Sequence, residues 1–147
     1  MGTTAQQPTR SSISILYLAL LGGLLSVSLV FGFLFLLGTA PLLPPGDDTV
    51  LIATVLAVVG MAPLLGGFFW ARPRVPVKPT EQGVDAYWQD QATFQRALMM
   101  WVLWEGAGMI GAVGTVLTGS YYPATVTVVA LALYLTNGPG YLEERQG

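Results

Sequence analysis

The stretch WVLWEGAGMIGAVG, residues 101–114, sets one carboxylic acid, Glu105, inside a run of apolar and small residues. A charged side chain at the centre of a bilayer is costly. Its chemistry is therefore confined to donating a hydrogen bond as a neutral acid, carrying a proton, or pairing with a cation on another element. Arg96, nine residues earlier, lies about 13 Å away along a helix and about half a turn around it. That places the two on opposite faces, and no other base is nearer in sequence than the loop arginines. Desolvation without a cationic partner favours the protonated acid, so Glu105 is expected to be neutral at physiological pH.

Absent residue types narrow the chemistry further. The chain has no Cys and no His. Thiolate catalysis, iron–sulfur clusters, Cys-attached haem and histidine-based acid–base chemistry are excluded. The commonest zinc ligand is missing as well. A serine or threonine nucleophile needs a base, and neither Lys78 nor any acid is placed by sequence to activate one. The expectation is a non-enzyme with neither cofactor nor metal.

The elements that carry Glu105 follow from hydropathy. Of the 147 residues 53% are hydrophobic and 10% charged, against about 45–50% and about 25% in soluble domains. Four apolar spans are predicted, over 13–37, 50–70, 94–118 and 122–138. The first exceeds the roughly 20 residues a helix needs to cross, and also the apolar core of a secretion signal, so it is expected to be a retained span. GTAPLLPPGDDT breaks the chain after it and offers Asp47, Asp48 and Thr49 as caps for the second. Pro63 is expected to kink the second span and to free the carbonyl of Val59. The polar loop 71–93 begins with proline at every third residue, which suits extended backbone. It continues with Val84, Tyr87, Trp88 and Gln91 at a spacing that suits either an amphipathic turn on the membrane surface or a plain connector with aromatic interface anchors. The apolar part of the fourth span is only about 22 Å long, so Tyr121, Tyr122 and Tyr141 are expected to extend it as interfacial flanks.

All six basic residues fall on one side of this threading: Arg10, then Arg72, Arg74, Lys78 and Arg96, then Arg145, with Asp47 and Asp48 opposite. The positive-inside rule then predicts an all-α, four-transmembrane-helix bundle with both termini cytoplasmic, a multi-pass protein of the cytoplasmic (inner) membrane. The basic residues form no stripe, which argues against a nucleic-acid surface, and no nucleic-acid partner is expected.

Span three carries small residues on adjoining rows, Ala107, Gly111, Gly114 and Thr118 beside Gly108, Ala112, Thr115 and Gly119. Span one offers Ala19, Gly22, Gly23 and Ser26. Such faces let helices approach closely in lipid, and the surface left over suits the lipid bilayer, a membrane-protein complex or a homo-oligomer. Glu105 shares its side with Trp101, Gly108 and Ala112, at the depth of Gly22, Gly23 and Gly60. A structural hydrogen bond from Glu105 to the Val59 carbonyl or a neighbour is the expected role, and proton handling is the alternative.

Leu103, Glu105, Gly106, Gly111, Val113, Leu117, Thr118 and Gly119, with YLALLGGLLSVSLVFGFL in span one, resemble a family of small, uncharacterised four-helix bacterial membrane proteins. The resemblance implies architecture and carries no activity. The chain also resembles the proton-translocating rotor subunits of the vacuolar-type ATPase, glycine-rich four-helix chains with a membrane-embedded glutamate. It departs from them in placing Glu105 on the first helix of its second hairpin and in the predicted side of its termini. The function expected is a small non-catalytic accessory or assembly subunit; the alternative is a proton-handling channel or rotor-type subunit using Glu105.

Overall fold

A computed structural model describes residues 9–76 and 83–144. Lys78, Arg145 and the end of the proline repeat lie outside the described residues, which are helical and contain no strand.

Helix α1, Arg10–Leu36, starts where the Thr9 side chain accepts the N–H of Ser12 and runs 27 residues without a proline. Helix α2, Asp47–Leu65, begins differently from expectation. Gly46 occupies the cap position without a side-chain bond, and Asp47 and Asp48 sit in the first turn. Carboxylates there still face the positive end of the helix dipole, while the Thr49 hydroxyl donates to the Pro44 carbonyl at 2.5 Å. Pro63 is absorbed within α2, and the helix widens beyond it into a π turn, Gly66–Ala71, followed by a 3-10 turn, Arg72–Arg74. The proline-rich stretch therefore begins helical where extended backbone was expected: Pro73 sits in the first positions of that turn, where no N–H is needed.

Helix α3, Val84–Gln89, is a short connector. Helix α4, Gln91–Thr118, is capped by Asp90, whose carboxylate accepts from both the amide and the hydroxyl of Thr93. It ends at Gly119, where φ is +66° and the glycine also abuts Pro41. Only glycine adopts that left-handed turn without strain. Ser120 caps α5, Tyr121–Thr136, and α6, Pro139–Glu144, closes the described chain.

Helix α4 is the hub. It packs against α1, α2 and α5, while α1 and α2 meet chiefly through α4 and little with each other. At one end the amides of Leu42 and Leu43 donate to the carbonyls of Val116 and Leu117. At the other, the start of α1 meets α3 and α6: the Arg10 amide donates to Asp85, and the Arg10 guanidinium pairs with Glu143 at 2.7 Å. Consecutive long helices thus run in opposite directions. Three segments are long and apolar enough to cross a bilayer, α1 with 27 residues, Asp47–Arg74 with 28 and α4 with 28. This marks a multi-pass membrane protein. The 16 residues of α5 span only about 24 Å.

Candidate functional site

Glu105 lies on the side of α4 that also carries Trp101 and Gly108 and looks toward α1. A Cβ placed on Gly23 would stand 3.4 Å from its Oε1. No hydrogen bond joins Glu105 to the Val59 carbonyl, and among the described residues its carboxyl has no hydrogen-bond or ion-pair partner. The expected bond fails for a reason of helical phase. Helix α2 reaches α4 through Gly60, whose added Cβ would meet Ala107 O and Ile110, and Glu105 sits around the helix from that contact. Tyr134 of α5 lies within reach of the charge of Glu105. The Tyr134 hydroxyl is buried without a hydrogen-bond partner among the described residues. Gly23 is thus the point on α1 that faces this acid.

Near Pro63 a different group supplies a donor. Trp104 Nε1 donates at 3.3 Å to the Leu64 carbonyl, where α2 gives way to the π turn. Gly67 makes room for that indole, because a Cβ there would lie 2.5 Å from Trp104 Nε1.

The small-residue face of α4 is divided between neighbours. Gly108 faces α1 and α5, where an added Cβ would meet Leu24 Cδ1 at 2.7 Å and Ala130 Cβ at 3.2 Å. Gly111 lies against the start of α5 and Gly114 against Pro123, with a Cβ distance of 2.8 Å at the latter. Ala112 is buried in the same face. Thr127 ties the two helices by donating to the Gly108 carbonyl at 2.9 Å. Gly22 does not belong to this surface: nothing lies within 4 Å of a Cβ built on it. The buried stripe of α1 is Ile13, Tyr17, Leu21 and Leu24, and Gly22 is a third of a turn away from it.

An aromatic cluster at the basic end was missed by sequence reasoning. Trp88, Trp101 and Trp104 are wholly buried and Tyr87 nearly so. The connector helix α3 thus turns its rings into the protein, where either an amphipathic surface turn or a connector with interfacial aromatics would have left them at the membrane interface. The edge of Tyr17 packs on Trp101 with centroids 5.1 Å apart, and Trp88 stands 6.1 Å from Trp101. Each polar tip finds a partner. Trp88 Nε1 donates to Glu143 at 2.8 Å, Trp101 Nε1 to the Asn137 carbonyl at 3.0 Å, and Tyr17 to the Tyr134 carbonyl at 2.8 Å. Burial pushes the Tyr87 phenol up to about 12, helped by Glu143 and Asp90 and opposed by Arg72. It therefore stays neutral and donates to the Pro76 carbonyl at 3.0 Å. By contrast Tyr121, Tyr122 and Tyr141 are exposed, as aromatic flanks at an interface require.

Chemically, this arrangement offers one acid and one phenol in an apolar setting, a rigid aromatic end and close helix contacts. It brings no nucleophile and base together among the described residues. No family model, curated protein or solved structure matches the chain.

Proposed function

We propose that the chain is a four-span integral membrane protein with both termini cytoplasmic, acting as a non-catalytic accessory or assembly subunit whose α1 surface meets lipid or a partner's helix. The observation that carries this reading is the exposure of α1. Only 11% of its most apolar stretch is buried within the chain, against 50% for α4, and Ile15, Leu18, Leu29, Phe33 and Leu36 stand out from it. An apolar surface of this extent needs lipid or another helix to cover it. The threading is supported by Arg10, Arg72, Arg74 and Arg96 gathering at the end of the molecule opposite Asp47 and Asp48.

Two measurements test the proposal. Reporter fusions at Gly147 should be active only in the cytoplasm, and fusions within residues 41–48 only outside; a C-terminal fusion active outside would overturn the threading. Native mass spectrometry of gently solubilised membranes should give a mass above that of one chain. A bare monomer in every mild detergent would remove the subunit reading.

The buried Tyr134 hydroxyl, within reach of the charge of Glu105, favours a second reading, proton handling, because a proton path through lipid needs more than one polar group. The two readings separate at Glu105. Since its carboxyl makes no hydrogen bond among the described residues, Glu105→Gln and Glu105→Leu should both fold, with stability within about 1 kcal/mol of wild type. Proton leak in reconstituted vesicles should be the same for all three proteins. A wild-type flux that glutamine abolishes as fully as leucine would establish the second reading, because an amide cannot release a proton at physiological pH.

A further inference from the structure

Between the end of the α2 segment and the start of α4 lies a cleft of about 340 Å³, bordered by Trp70, Arg74, Gln95, Arg96 and Met99. We propose that it holds the phosphate of an anionic phospholipid; the inference rests on the membrane reading above.

The charge at this cleft is one-sided. Arg74 Nη1 donates to the Trp70 carbonyl at 2.6 Å, and its guanidinium lies 4.4 Å from the centroid of the Trp70 ring. Arg96 Nη1 donates at 3.2 Å to the Arg74 carbonyl. Two guanidinium groups are thereby held beside one cavity, and neither forms an ion pair among the described residues. Arg10 at the same end behaves differently, being matched by Glu143. Like charges fixed side by side repel, and a bound anion relieves this. The planar donor fork of arginine also suits phosphate oxygens.

The surroundings select a lipid over a soluble anion. Trp70 closes the apolar run just before the first arginine of the loop, at the level where tryptophan meets headgroups. Trp70 and Met99 are exposed at the cleft. A phosphate between Arg74 and Arg96 would therefore have apolar side chains below it for the glycerol and upper acyl carbons. Gln95, one residue from Arg96 on the cleft side of α4, adds a neutral donor. Basic pockets of this kind between helices, on the cytoplasmic side, recognise anionic headgroups.

The test uses the full chain in mild detergent, mixed with the zwitterionic lipid POPC or the anionic lipid POPG, with bound lipid counted by native mass spectrometry. Each interfacial basic residue is worth about fivefold in affinity, so wild type should prefer POPG by roughly 25-fold. Arg74→Gln and Arg96→Gln should each lower that preference to about fivefold, and the double variant should abolish it. Both side chains are exposed, and the wild-type comparison of the two lipids stands without any variant. Equal retention of POPC and POPG, or a preference that survives in the double variant, would overturn the proposal. So would millimolar sodium phosphate displacing POPG, which would make this a site for free phosphate. Flotation with POPC vesicles keeps the premises apart. A chain that fails to float loses the membrane reading and this inference with it, whereas one that floats yet shows no lipid preference loses only this inference.

Discussion

Gly111→Leu should separate α4 from α5. A Cβ on Gly111 would stand 2.5 Å from Thr127 Oγ1, 2.6 Å from the Pro123 carbonyl oxygen and 2.9 Å from the Thr127 amide nitrogen. Two of these three atoms are backbone and cannot rotate aside, so even alanine forces the helices apart. Extra methylenes in a packed contact cost about 1–3 kcal/mol; alanine should fall in that range and leucine beyond it. The shift also strains the bond from Thr127 to the Gly108 carbonyl, which adds the loss of a buried hydrogen bond. Gly22→Leu is the matched control, because nothing lies within 4 Å of its Cβ position. Thermal melts in detergent followed by tryptophan fluorescence should show Gly111→Leu unfolded or strongly destabilised and Gly22→Leu unchanged. If the two variants melt together, the close approach of α4 to α5 is wrong.

Trp101→Ala should be comparably damaging at the basic end. The side chain is fully buried, packs on Tyr17 and Trp88, and donates to the Asn137 carbonyl. Truncating a buried tryptophan costs about 3–5 kcal/mol. Trp101→Phe should retain much of the packing yet leave the Asn137 carbonyl without its indole donor, costing about 1–3 kcal/mol. Phe69→Ala, at an exposed ring of the π turn, should cost far less. Near-ultraviolet circular dichroism and denaturation in graded sodium dodecyl sulfate would rank the three. An equal effect of Trp101→Ala and Phe69→Ala would mean that the aromatic cluster carries no packing energy.

The long apolar helices could be read from sequence because uninterrupted hydrophobic runs and proline-rich breaks act locally. Contacts of the glycine face also followed from local spacing: Gly111 and Gly114 share a side of α4, and a residue without a side chain there permits close approach. What stayed hidden depended on which neighbour each face meets. Glu105 was phased correctly with Trp101 and Gly108, but its depth fitted Val59 as well as Gly23, and only the placement of α1 distinguishes them. Trp88 near the end of a span looks the same whether its ring faces headgroups or the protein interior. Its burial depends on Glu143, more than fifty residues later, accepting from the indole. One signal was available for the others. Trp101 and Trp104 stand on the same side of α4 as Ala97, Ala107, Gly108 and Gly111, all of them buried, and large rings in phase with a small-residue face belong inside. The π turn had no local sign beyond Pro63 and its following glycines, and the Trp104 indole that lies against Gly67 there comes from a distant helix.

The hub position of α4 has a consequence for how the chain enters the membrane during synthesis. Helices α1 and α2 emerge first, and because they pack chiefly on α4 they gain little from each other. Each has to be stable in the bilayer alone. Their hydropathies of 2.4 and 2.2 suit that solitary stage, whereas α4, at 1.4 and bearing Glu105, can partition into a site already flanked by its partners. The start of α1 is likewise fastened only by later parts of the chain, Asp85 accepting from the Arg10 amide and Glu143 pairing with its guanidinium. The molecule is thus an open set of independent helices until α4 enters the bilayer, and it becomes a single packed body only around that helix.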